Sequence, residues 1–186
     1  MTVLSPGDAA WPRPLTARLG DAAPKKLTAL GNLDLLALPK TALFCSARCP
    51  GRVILPTYDQ AAKWRDTGRC VISGFHSPVE RECLHILLRG DAPVILCPAR
   101  GMLLRLPAQW AITVASGRML ILSAFAATAN RVTAGLATRR NDLVAALADE
   151  VFIAHITIGG QLEQLAKRLQ AQGVSIIAPP SVANER

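Results

Sequence analysis

Apolar positions along the chain gather into six short runs separated by longer mixed segments. The runs are TALFC (41–45), CVIS (70–73), PVILC (93–97), MLILS (119–123), VFIAH (151–155) and VSIIA (174–178). Each is apolar on nearly every residue, as in a strand covered on both faces, and not on every second residue, as in a strand with one wet face. Between the runs, apolar residues recur at three- and four-residue intervals over roughly 57–67, 78–89, 107–116, 129–148 and 160–172, which predicts helices. Strand and helix in alternation make a mostly parallel sheet with helices on both sides: a doubly wound, three-layer α/β domain of about six strands over 41–186. Residues 1–40 break the pattern with Pro6, Pro12, Pro14, Pro24 and Pro39 and with Gly7, Gly20 and Gly31. They read as an N-terminal extension packed on the core, with a small hairpin or turns around Leu27–Leu30 and Leu33–Leu38.

In such a sheet, ligands bind beyond the carboxyl ends of the strands, near the point where strand order reverses. The residues that follow the strands are Ser46-Ala47-Arg48, Ser73-Gly74-Phe75-His76-Ser77, Pro98-Ala99-Arg100-Gly101, Ser123 and Thr157-Ile158-Gly159-Gly160. Small residues let a ligand approach the backbone, helix N-termini offer free N–H groups, and arginines bring charge, so the repeated pattern predicts an anion site for a phosphate or nucleotide. Each turn taken alone also has a purely geometric explanation, since a βα turn needs glycine or serine in any case. Ser77 and Glu80, three residues apart, read as a capping box for the second helix.

Charge strengthens the anion reading. The 186 residues carry 21 Lys and Arg against 13 Asp and Glu, a formal net charge of +8. No acidic residue lies between Asp91 and Asp142, whereas Arg100, Arg105, Arg118, Arg131, Arg139 and Arg140 all do. Arginine suits bidentate phosphate recognition. With 51% hydrophobic and 18% charged residues the chain is globular in composition. It has no apolar run of the roughly 18 residues that cross a bilayer, and no basic-then-apolar N-terminus, so no membrane and a cytoplasmic setting are expected. The five cysteines read as free thiols in a reducing compartment; Cys45 and Cys49 have no second close pair, so no metal is expected. Neither GxxxxGK[ST] nor GxGxxG occurs, and no cofactor is expected. Phe75 is the aromatic residue placed at a strand end, either to stack on a base or to plug the turn from below.

Trp11-Pro12 with Leu15, Gly31-Asn32 with Leu35-Leu36, Ser46-Ala47-Arg48, Ser73-Gly74, Arg140-Asn141 ahead of Leu147-Ala148-Asp149, VFIAH and Gly159-Gly160 occur in an order that resembles the DNA-processing protein A (DprA, also called Smf) family. The resemblance spans nearly the whole chain and places it in the wider Rossmann-like group that includes the LOG-type nucleotide phosphoribohydrolases. It implies a Rossmann-like domain that binds single-stranded DNA with little sequence preference, usually as a homodimer, and hands it to a RecA-type recombinase during DNA uptake. The implied DNA-binding residues are Ser46 and Arg48, Ser73 and Gly74, Arg140 and Asn141, with Gly159 and Gly160. Phe75, His76, Arg100 and Arg139 join them as strand-end candidates from the reading of the turns and charges. The chain departs from the family pattern in several places: Cys45 stands for the first glycine of GSR with Ala47 inserted, and SGGARGID reads SGFHSPVE. The short stretch after the last strand leaves no room for the winged-helix tail of some relatives.

Two alternatives remain open at this level. A LOG-type hydrolase would need a poised acid or base among Glu80, His76, His85 and His155, but Gly159-Gly160-Gln161-Leu162-Glu163 lacks the PGGxGTxxE arrangement of those enzymes. A nucleotide-binding sensor without DNA activity would keep the fold alone.

Overall fold

The computed structural model describes residues 1–103 and 105–179. In chain order the elements are β1 (Thr2–Leu4), α1 (Pro14–Leu19), β2 (Leu27–Gly31), β3 (Lys40–Phe44), α2 (Gly51–Thr67), β4 (Cys70–Ser73), α3 (Pro78–Leu88), β5 (Val94–Leu96), α4 (Ala108–Ala115), β6 (Met119–Ser123), α5 (Ala134–Leu147), β7 (Glu150–Ile153), α6 (Gln161–Ala171) and β8 (Ile176–Ile177). The six apolar runs are β3 to β8, parallel throughout. They form part of one eight-stranded sheet in the order β1-β2-β6-β5-β4-β3-β7-β8.

The strand count exceeds the expected six because residues 1–40 contribute two strands to the sheet. β2 runs antiparallel to β6, pairing Thr28 with Ser123 and Gly31 with Leu120, and β1 pairs with β2. At the end of β2, Gly31 adopts φ +116°, and a Cβ there would lie 2.2 Å from the Met119 carbonyl oxygen, so only glycine lets β2 lie against β6. The helix after β3 begins six residues earlier than expected. Pro56 does not start α2 but sits inside it, near its exposed first turns, where the lost N–H bond is tolerated.

Every residue of β3, β4, β5 and β6 is buried. On one face Phe44, Ile72, Ile95, Leu120 and Leu122 pack with Leu143, Val144 and Leu147 of α5 and with Leu165 and Leu169 of α6. On the other, Leu43, Val71, Val94, Leu96 and Ile121 pack with Val79, Cys83 and Leu87 of α3 and with Trp64 of α2, whose ring meets Phe152 edge-on at 5.1 Å. Each such buried aliphatic side chain contributes roughly 1.5–3 kcal/mol. A one-residue slip of any strand would exchange its two faces, so this two-sided core specifies the register.

From β3 the chain builds β4, β5 and β6 successively to one side, then returns to lay β7 on the other. The carboxyl ends of β3 and β7 therefore flank the switch point, where this architecture opens a crevice.

Candidate functional site

The crevice is closed at its base by backbone. The Ser46 N–H donates to the His155 carbonyl at 3.0 Å, joining the exits of β3 and β7. The Ser46 hydroxyl oxygen accepts the Thr157 N–H at 3.0 Å. Beyond them Arg48 is exposed.

The exit of β4 forms the adjoining wall. Ser73 is fully buried; its hydroxyl donates to the Leu43 carbonyl at 2.7 Å and accepts the Phe75 N–H at 3.1 Å. Phe75 adopts φ 45°, the one non-glycine residue with positive φ among those described, and its ring lies in the core beside Val79 and Cys83. The capping box read from Ser77 and Glu80 is present: the Glu80 N–H donates to Ser77 Oγ at 3.2 Å, and Glu80 Oε2 accepts the Ser77 N–H at 3.1 Å. Glu80 does more than cap. Its buried carboxylate also accepts the His76 N–H at 2.7 Å and, through Oε1, the Cys45 N–H at 2.9 Å. One side chain thus braces the turns after β3 and β4 against each other.

The third wall is α5, capped by the Thr133 side chain, which accepts the Leu136 N–H at 3.2 Å. From α5 Arg140 reaches inward and is only 5% exposed. Its Nε donates to Asn141 Oδ1 at 2.8 Å and its Nη1 to the Cys97 carbonyl at 3.4 Å. Among the described residues it forms no ion pair with a carboxylate. Burial pulls its pKa below the ordinary arginine value, with the nearby Glu80 charge opposing that shift; an arginine starting this high remains a cation at neutral pH. Its guanidinium fills the space over Gly74, where a Cβ would lie 1.2 Å from Nη1. The Ser-Gly pair after β4 is therefore more than a turn: the missing side chain houses a charge.

Together these walls enclose a pocket of about 400 Å³ that brings together Ser46, Arg48, His76, Arg140, Asn141 and Gly160. Two guanidiniums converge on it, and the Glu80 carboxylate at its edge is already occupied by backbone donors. A phosphate is the group that such a pocket suits, since it would meet both arginines and satisfy the buried one.

The remaining expected residues lie elsewhere. Ser73 cannot reach a ligand because both roles of its hydroxyl are used below the surface. Phe75 takes the plugging position and offers no stacking face, because its φ turns the ring under the loop. Gly74 serves through Arg140. Gly159, at φ 75°, donates its N–H to Glu163 Oε2 at 2.6 Å, next to the pocket but outside its lining. Arg100 lies in the loop after β5, its carbonyl accepting the Ser123 hydroxyl at 2.7 Å. Arg139 turns away from Arg140, with its guanidinium 5.6 Å from the centroid of the Phe125 ring. The bracing role of Glu80 across two turns and the part played by Thr157 were not foreseen; only the capping-box spacing pointed towards the first.

The resemblance read from the motifs is supported by comparison with known proteins. The model of the DNA recombination-mediator protein A family matches residues 2–184. Among solved structures, DNA processing protein A (DprA) from Streptococcus pneumoniae superposes with a TM-score of 0.80 at 21% identity, over 98% of this chain and 64% of that one. The chain thus spans less than two thirds of that relative's length. DNA processing protein A from Helicobacter pylori, whose structure describes a unique single-stranded DNA binding mode, superposes with a TM-score of 0.76 at 24% identity, over 99% of this chain and 82% of that one. The molybdenum cofactor binding protein from Rippkaea orientalis shares the fold more distantly, with a TM-score of 0.52 at 13% identity over 75% of each chain. No curated protein matches the sequence. At these identities the structural likenesses speak for the fold, and the match to the family model over nearly the whole sequence decides kinship: the chain belongs to the DNA recombination-mediator protein A family.

Proposed function

We propose that the protein binds single-stranded DNA by its phosphate backbone, with one phosphate held between Arg48 and Arg140 at the switch-point pocket. The observation that carries this reading is Arg140, a nearly buried cation with no carboxylate partner among the described residues, facing a pocket. A buried charge left unpaired is costly, and an anionic ligand offsets that cost. Family membership supports the nucleic acid over other phosphates. The same resemblance supports a cytoplasmic homodimer that passes its strand to a RecA-type recombinase in DNA uptake or recombination.

Hydrolysis of a nucleotide is disfavoured by the same geometry. Glu80 is committed to three backbone N–H groups, and Glu163 is held below the ordinary carboxylate range by Lys167 and by the Gly159 N–H. Neither is a free base beside the pocket.

The test is fluorescence anisotropy with labelled oligo-dT over a range of salt. Binding should weaken by about 0.7 log unit per log unit of salt for each phosphate contacted. Arg48→Ala should lower affinity about tenfold and reduce that slope by one contact. Failure of the wild-type protein to bind oligo-dT at low salt would overturn the proposal, and release of free base from a nucleoside monophosphate would favour the hydrolase instead.

A further inference from the structure

The turn after β4 has a structural double after β6. Ser123 ends its strand as Ser73 does: its hydroxyl donates to a neighbouring carbonyl, here that of Arg100 at 2.7 Å, and accepts the N–H of the phenylalanine two residues on, Phe125, at 3.2 Å. Each turn is served by one of two consecutive arginines of α5. Successive residues on a helix point about 100° apart, so Arg140 enters the pocket over Gly74 while Arg139 lies over Phe125 on the other side.

Around Arg139 is a groove of about 890 Å³ between the loop after β6 and the segment that leads into β2. That segment brings Lys25 and Lys26, both exposed, and neither pairs with a carboxylate among the described residues. Two acids also line the groove, but Asp142 is engaged by Arg168 at 2.6 Å, which leaves three cations against Asp21. Stacked on Phe125 and exposed on its outer side, the planar Arg139 guanidinium offers a second flat face of the kind on which bases stack.

We propose that this groove is a second contact site for the same nucleic acid strand, where a base stacks on the Arg139–Phe125 pair and the adjoining phosphates meet Lys25 and Lys26. The proposal rests on the reading of the Arg48–Arg140 pocket as a single-strand site. The two sites are near enough for one strand to occupy both. Three strand spacings separate β3 from β6, roughly 14 Å at about 4.8 Å each. The path between them follows the carboxyl edge of the sheet, past Arg100.

Two labelled probes separate the sites: a dT trinucleotide, long enough for one site only, and oligo-dT of roughly 16 nucleotides, long enough for both. The double variant Lys26→Ala/Arg139→Ala removes only exposed side chains. It should weaken the longer probe about tenfold, as expected for loss of one stacked base, and lower its salt slope by about 1.4 for two lost phosphate contacts. Trinucleotide affinity should stay within about twofold of wild type, a bound far smaller than the effect of one stacked base. Arg48→Ala, in contrast, should weaken both probes. If the double variant binds the longer probe like wild type, or weakens both probes equally, the second site is refuted while the first stands. Equal competition by duplex DNA for the longer probe would also refute it, because a stacked base must be unpaired. If the wild-type protein binds neither probe, both proposals fall.

Discussion

At the end of β4, Ser73 holds the Leu43 carbonyl and the Phe75 N–H; at the end of β6, Ser123 holds the Arg100 carbonyl and the Phe125 N–H. In both turns the phenylalanine ring is buried. They differ in the residue between serine and phenylalanine and in how closely α5 approaches. After β4 the middle residue is Gly74, and Arg140 occupies the volume its side chain would need. After β6 it is Ala124, and Arg139 lies over the ring while remaining exposed. One turn design thus makes a nearly enclosed cation in one place and an open basic groove in the other, and a single methyl group marks the difference.

The strongest way to break that comparison is to add the methyl to the first turn. Gly74→Ala places a Cβ where the Arg140 guanidinium lies, and because that group ends a flexible side chain, it should move and leave the fold standing. Oligo-dT affinity should fall tenfold or more, the scale of a lost charge-assisted contact, while stability changes by about 1 kcal/mol on chemical denaturation. The reciprocal Ala124→Gly should leave affinity unchanged and cost about 0.5–1 kcal/mol through the added freedom of the unfolded chain. Affinity retained in Gly74→Ala would show that the close approach to Arg140 has no bearing on binding.

A smaller effect sharpens the likeness of the two turns. Ser73→Ala and Ser123→Ala each leave a buried N–H and a carbonyl without their partner, so each should cost about 2 kcal/mol by urea denaturation. A loss at Ser73 with none at Ser123 would mean that the second turn only imitates the first.

Much of this architecture was legible in the chain. The six doubly covered strands declare themselves because each is apolar without interruption, and the capping box at Ser77 and Glu80 is a local pattern with a fixed spacing. β1 and β2 were hidden because strands of three and five residues in a proline-rich stretch carry little periodicity, and β2 exists through pairing with β6, far away in sequence. The site was legible by residue type and not by direction. Ser46, Arg48, His76, Arg140, Asn141 and Gly160 meet as the strand-end pattern suggests, yet nothing local indicates that Phe75 turns under its loop. Nor does anything local separate Arg139 from Arg140; that depends on how α5 rotates against the sheet. Glu80 reads as a helix cap from its spacing, and its second role, holding Cys45 thirty-five residues away, exists only in the folded chain.

The central claim is that Arg140 is kept buried and without a carboxylate partner in order to receive a phosphate. Its most direct test is an anisotropy titration of oligo-dT against Arg140→Met at low salt. Methionine fills a similar volume without the charge, and replacing a buried ion with an apolar side chain is often neutral for stability. The expected result is a folded protein whose affinity falls tenfold or more. A folded Arg140→Met protein that binds oligo-dT as tightly as wild type would contradict the claim.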